Sequence, residues 1–308
     1  LYIYLQPTST EHFKDRVTVY IVWNDLINPY GLGDRLRGSI AIYQFCNANN
    51  IKCVFDPRFS GFGKFLESGQ SDNLDLIINP TTPVYQILSS GGSNSIKMFL
   101  DKKMDDETLD KLIKNTVKDS NTNDALKEFM NKIIGESKDG YVCVFSNLIP
   151  KLPLSNDDFI FFESIIKVIP SLEIKIQNIL NKLPHSYTIQ HFRFSDSPEP
   201  SDDECEKALN LLKQNLKPTD ILMSNSFKFK SFVKSNLNIF TLDCDECKSK
   251  NLHIAFDPFD SIIEFTLIEL MIIKKASFIH TYSKYPWVSN FVSWPAKFYS
   301  IDITNTQI

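Results

Sequence analysis

The second half of the chain alternates short apolar runs with helical patterns so regularly that few folds can accommodate it. Strand-like runs fall at 187–194, 220–224, 238–243 and 277–282, with a short one near 298–302. Helical spacing fills the intervals, at about 201–216, 227–235, 260–275 and 286–293. Parallel neighbours need long crossovers, usually helical, so this alternation predicts an α/β architecture: a parallel sheet covered by helices.

The first half begins in the same way. Val17-Thr18-Val19-Tyr20-Ile21-Val22-Trp23 reads as a buried strand. A glycine-rich turn follows, Gly31-Leu32-Gly33-Asp34-Arg35-Leu36-Arg37-Gly38, then a helix over 39–46 and a strand over 51–55. That is a βαβ unit. Tyr141-Val142-Cys143-Val144-Phe145 reads as a further strand, the Gly/Ser/Asn-rich 89–95 as a loop, and 105–134 as a solvated helical pair. Residues 166–183 have helical spacing interrupted by Pro170, and Pro184 marks a hinge. A length of 308 residues fits about two domains. The expected organisation is two Rossmann-like halves, 1–183 and 184–308, facing across a cleft.

Composition narrows the function classes. Hydrophobic residues make up 43% and charged residues 23%, enough apolar material for sizeable cores. A formal net charge of -4 argues against a nucleic-acid partner. Six cysteines in this length do not predict a disulfide framework, and there is no Asn-x-Ser/Thr acceptor, so the cytoplasm is the expected compartment. No apolar run reaches the ~18–20 residues of a membrane span, and the start lacks a full signal pattern, so no membrane anchor is visible in this chain.

The chemistry concentrates at His191-Phe192-Arg193-Phe194-Ser195-Asp196. Strand periodicity puts His191 and Arg193 on one face, at the carboxyl end of a strand, where open α/β sheets bind ligands. A guanidinium fixed there suits a diphosphate. Gly31 and Gly33 with Arg35 and Arg37 form a second element able to meet phosphate. It is not the dinucleotide fingerprint, because Leu36 stands where the third glycine belongs, and a dehydrogenase is disfavoured.

Other signals have blander readings. Cys244-Asp245-Glu246-Cys247 has too few ligands for zinc and reads as a surface loop with reduced thiols. Asp243-Cys244-Asp245 spells the metal motif of GT-A glycosyltransferases, a minor alternative this late in a two-halved chain. Trp287, Phe291 and Trp294 read as a core face rather than a sugar-stacking platform. Lys228, Lys230 and Lys234 read as a solvated helix face.

The motif His191-x-Arg193-x-x-Asp196 resembles the first shared motif of the α1,2-, α1,6- and protein O-fucosyltransferase superfamily. Residues 220–226 resemble the second motif, a strand ending in a small polar pair. Glu269 through Ala276, with the strand 278–283, is similar to the third: an acid on a helix, then a strand ending in serine. The turn 31–36 is similar to the glycine-rich turn of these enzymes' acceptor-side domain. The match covers about half the chain. Two departures stand out: Glu269 replaces the usual Asp, and Ser197-Pro198-Glu199-Pro200 follows Asp196 where many relatives carry a basic residue and an acid.

The resemblance implies a GT-B fold and an inverting, metal-independent glycosyltransferase that needs no cofactor. Its partners would be a GDP-sugar donor, typically GDP-fucose, and a glycan acceptor. Residues 1–183 would form the acceptor side and 184–308 the nucleotide-sugar domain. Arg193 would clamp the β-phosphate, and Asp196 would orient it. Gly31, Gly33, Arg35 and His191 would line the donor site, and Thr281, Tyr282 and Ser283 would meet the phosphates at the start of the last helix. Asp243 would read the guanine. The catalytic base is open among Asp34, Glu199, Asp202 and Asp203. A UDP- or dTDP-linked donor, or a degenerate module that binds without turnover, remain the alternatives.

Overall fold

A computed structural model describes residues 17–25, 31–70, 84–90, 93–99, 122–137, 140–150, 153–195, 198–242, 244 and 260–308. The chain divides into two compact units. One contains 34–167 together with the first strand; the other contains 31–33 and Val168–Ile308. Each carries its own five-stranded sheet.

In the first unit, β1 (Thr18–Asn24) lies between β2 (Cys53–Phe59) and β5 (Tyr141–Ser146), parallel to both. Val19 to Trp23 are all buried, as an inner parallel strand covered on both faces requires. Between β1 and β2 runs α1 (Leu32–Ala48). Pro57 is tolerated in β2 because that strand is at the sheet edge.

The region expected as a loop at 89–95 instead belongs largely to a hairpin: β3 (Val84–Ser90) pairs parallel with β5 and antiparallel with β4 (Ser93–Phe99). The serines that read as loop end β3 and begin β4. Of the expected 105–134 helical pair, α2 (Thr122–Glu136) is present, and 105–121 lie outside the described residues. The unit closes with α3 (Asn156–Ile165), whose capping box joins Ser155 and Asp158.

Pro170 starts a helix rather than interrupting one. It sits in the first turn of α4 (Pro170–Leu180), where its missing N–H leaves no extra orphan. This helix belongs to the second unit and packs on α7 (Asp260–Lys274), whose run from Ile262 to Ile273 is buried except for Glu264.

The second sheet is entirely parallel. Its strands are β6 (Thr188–Arg193), β7 (Ile221–Ser224), β8 (Phe240–Thr241), β9 (Phe278–Ser283) and β10 (Asp302–Gln307), in the order β10-β9-β6-β7-β8. Connecting helices are α5 (Asp202–Asn215), α6 (Phe227–Asn236), α7 and α8 (Asn290–Phe298). The last helix starts four residues later than expected, and β10 follows it at 302–307 rather than near 298–302. Numbered within the unit the order is 5-4-1-2-3, the doubly wound order read from the other edge. The strand order reverses between β6 and β9, which places the switch point there. Two Rossmann-like α/β units in one chain make the GT-B fold expected from the sequence.

Candidate active site

At the switch point the pairing of β6 with β9 sets Arg193 directly beside Ser283 and His191 beside Thr281. Arg193 and Ser283 are the last residues of their strands, so both stand at the carboxyl edge. Arg193 is half-buried, and Ser283 is fully buried.

The loops that leave β6, β7 and β9 are tied to one another. Asn225, after β7, accepts from the Phe194 N–H at 2.9 Å and donates to the Phe194 carbonyl at 3.3 Å. Lys284, after β9, donates its backbone N–H to the Arg193 carbonyl at 3.2 Å, and its ammonium meets Glu204. That contact, with the Ser201 N–H donated to the carboxylate, holds the Glu204 carboxyl down at about 2. Ser224 and Ser283 repeat one device: each hydroxyl accepts the backbone N–H two residues on, at 3.1 and 3.0 Å. Ser226 caps α6 and donates to Glu199.

Beneath Arg193 lies a buried polar layer. His191 Nδ1 and Thr281 Oγ1 are 3.0 Å apart. Burial, then repulsion by Arg193 and Lys230, brings the His191 imidazole down to about 3, so the ring is neutral at pH 7. Lys230 was expected on a solvated face but is 3% exposed. Its ammonium lies 3.4 Å from Glu269 and within 5.0 Å of the Phe227 and Phe265 ring centres. Burial raises the Glu269 carboxyl pKa, and Lys230 opposes that rise. Glu269, the substitution in the third motif, is thus one half of an interior ion pair that periodicity gave no reason to expect.

Tyr282 is not with its neighbours. It has the opposite strand parity from Thr281 and Ser283, and it stacks on Phe192 at 4.4 Å inside the aromatic core with Phe229. Its hydroxyl donates to Gln190 at 3.3 Å. Ser283 ends its strand seven residues before α8 begins at Asn290, so it is not at the start of the last helix.

Of the glycine-rich turn, all but Gly31 is helical, since α1 begins at Leu32. Neither Gly31 nor Gly33 takes a left-handed backbone; among the described glycines Gly140 does, at φ 71°. What Gly33 provides is proximity: a Cβ there would fall 2.5 Å from the backbone at Asn290 and Phe291. Gly38 sits even closer to β5, where a Cβ would lie 1.7 Å from the Ser146 carbonyl oxygen. Gly31 has nothing within 4 Å of such an atom.

Arg35 is 1% exposed and bonded to Asp25 at 2.7 Å, with its guanidinium beside Trp23 and Phe62. The Asp25 carboxylate also accepts from Ser60 Oγ and the Gly61 N–H. This is an interior tie of the first unit rather than a surface for phosphate. Asp34 pairs with Arg37 at 2.8 Å in the first turn of α1, where a carboxylate favours the helix.

Among the other candidate bases, Asp202 is exposed and pairs with Lys228 at 2.8 Å, and Asp203 is an exposed residue of the same first helical turn. Asp196 and Asp243 lie outside the described residues. Cys244 is disulfide-bonded, not a reduced thiol. Among the described residues no group of three or more His, Cys, Asp or Glu could hold a metal ion, and no helix is long and apolar enough to cross a membrane.

Sequence reasoning missed Asn225 as a clamp and Lys284 as a tie. Their signal was present in the polar residues that follow each strand.

No protein-family model matches the sequence, and no curated protein sequence matches it significantly. Solved structures do. A mutant of Arabidopsis thaliana FUT1 in complex with GDP matches at TM-score 0.51 and 10% identity, over 94% of this chain and 70% of that one. The fucosyltransferase NodZ from Bradyrhizobium matches at TM-score 0.48 and 12% identity, over 92% and 91%. POFUT1 in complex with GDP gives 0.44 and 9%, over 95% and 98%. At such identities the likeness to the Arabidopsis structure is one of fold alone, the two-unit GT-B architecture.

Proposed function

We propose that the protein is an inverting glycosyltransferase that moves a sugar, with fucose from GDP-fucose the first donor to test, onto a glycan hydroxyl. The observation that carries this reading is the pairing of Arg193 with Ser283 at the switch point, on strand ends tied together by Asn225 and Lys284. The fold-matched Arabidopsis protein was solved with GDP, which favours that nucleotide.

In this reading the bond between the donor's anomeric carbon and the β-phosphate oxygen breaks as the acceptor oxygen bonds that carbon from the opposite face. Charge grows on the departing diphosphate. Arg193, held at a strand end, stabilises that charge more in the transition state than in the ground state. The Ser283 hydroxyl, which accepts the Tyr285 N–H and keeps its own proton to donate, completes the phosphate site. His191 supports Arg193 from below: a neutral imidazole adds no second positive charge beneath the guanidinium. The acceptor proton leaves to a base among Asp34, Glu199, Asp202 and Asp203. Asp196 orients the arginine and Asp243 reads the base.

Thermal shift against GDP, UDP, dTDP, CMP and their sugar conjugates, with and without Mn²⁺, tests the reading. A ligand at about 100 times its dissociation constant adds ~2.7 kcal/mol of apparent stability. Selective stabilisation by GDP and GDP-fucose is the expected result. A preference for UDP removes the fucose donor, and no response to any nucleotide removes the transferase.

A further inference from the structure

Trp287 is 61% exposed, against 1% for Trp23 and 2% for Trp294, the remaining two of the three tryptophans. The expected core face over 287–294 is therefore split: Trp294 is core, and Trp287 precedes α8 and faces water. It is not loose. Its ring stacks on Tyr285 with centroids 5.2 Å apart and planes inclined by 20°. The turn that carries both rings is bound at three points already described: the Lys284 N–H to the Arg193 carbonyl, the Tyr285 N–H to Ser283 Oγ, and the Lys284 ammonium to Glu204. Trp287 stands four residues beyond Ser283, so it lies within about 14 Å of the strand end. A two-ring apolar plate thus follows the candidate phosphate site closely in the chain, on a turn whose first two residues are held.

We infer that the Tyr285–Trp287 stack is the platform for a pyranose ring, either the donor's sugar or the acceptor's. Covering exposed indole is favourable, and the apolar C–H face of a pyranose matches an aromatic face. A nucleobase also stacks on indole, but selecting one takes donors and acceptors at its edges. Pro286 and Val288, on either side of Trp287, are apolar, and the GDP arm of the test below separates a base from a sugar. The inference rests on the glycosyltransferase reading for its ligand, and its test separates the two.

Because Trp23 and Trp294 are buried, acrylamide quenching of tryptophan fluorescence reports on Trp287, and Trp287→Phe removes the quenchable signal. The probes are GDP, GDP-fucose, and fucose, galactose, glucose and N-acetylglucosamine at tens of millimolar, with thermal shift against GDP read in parallel. Protection by GDP-fucose but not GDP identifies the donor's sugar on the plate. Protection by a free pyranose identifies the acceptor's. Trp287→Ala is expected to weaken that sugar's binding about tenfold while GDP affinity is unchanged, and Trp287→Phe to retain most of it. Protection by GDP alone assigns the plate to the base and overturns the inference, as does the absence of protection by any sugar. Sugar protection without any GDP stabilisation leaves the platform standing and removes the donor reading instead.

Discussion

Arg35 and Arg193 each lie close to the carboxyl end of the first strand of a unit, and the protein holds them in opposite ways. Arg35 is enclosed: 1% exposed, paired with Asp25 at 2.7 Å and flanked by Trp23 and Phe62. Burial lowers its pKa and Asp25 opposes the change. Arg193 is half in solvent at a strand terminus, and Asn225 and Lys284 tie the main chain on its two sides. A cation becomes structural when the fold supplies both a carboxylate and aromatic walls. At the end of β6 the ties run instead through the main chain of the loops, and the arginine side chain keeps part of its surface in solvent, where an anionic ligand can reach it.

The largest test of that contrast is Arg193→Ala. Transfer is expected to fall by about 10²–10³, the scale of removing one transition-state donor, with the melting temperature nearly unchanged. Wild-type-like transfer in the folded variant ends the assignment. Arg35→Ala is expected to do the reverse: about 3 kcal/mol of stability lost in urea unfolding, because Asp25 keeps its burial and loses its cation. GDP affinity per folded molecule should not move. A stable Arg35→Ala protein that no longer binds nucleotide would put both arginines at the ligand and dissolve the comparison.

The buried layer gives a smaller, pH-dependent effect. His191 sits at about 3 in the folded protein, below the ordinary value of 6.5. The unfolded chain therefore takes up a proton on acidification that the folded one refuses. Stability falls as pH drops from 6.5 toward 3, by about 2 kcal/mol between pH 7 and pH 5. Urea midpoints at those two pH values should show that loss in the wild type and its absence in His191→Gln; equal slopes would mean the ring is not sequestered. Smallest is Asn225→Ala, expected to cost about 1 kcal/mol for two hydrogen bonds to Phe194, together with a drop in transfer greater than the drop in GDP affinity. Unchanged transfer would make the clamp irrelevant to Arg193.

The strands that carry the switch point were readable because inner parallel strands are apolar on both faces and leave unbroken runs, as at Val19–Trp23 and Ile221–Met223. The β3–β4 pair was not, since the serines at the end of β3 and the start of β4 look like loop residues. His191 and Arg193 were legible by parity, and the same parity, applied to Tyr282, would have sent it to the core. Arg35 and Lys230 were beyond reach. Each is buried by a partner from elsewhere in the chain, Asp25 and Glu269, and no local pattern announces a tertiary ion pair. The glycines of α1 were read as turn formers, whereas Gly33 and Gly38 are required for close approach to a neighbouring backbone.

The hydrogen bond between His191 and Thr281 spans 90 residues of chain. Closing a loop of that size carries an entropy cost that local contacts do not share, and it comes before the pairing can repay it. The two halves of the candidate site therefore meet late. During synthesis β6 is complete long before β9 exists, and its unpaired backbone edge waits for that strand. Until then Phe192, Phe194 and Phe229 pack without Tyr282, a partly built core open to unwanted strand pairing. Assembly of the candidate site should appear as one of the slowest phases of refolding, after most helical signal has returned.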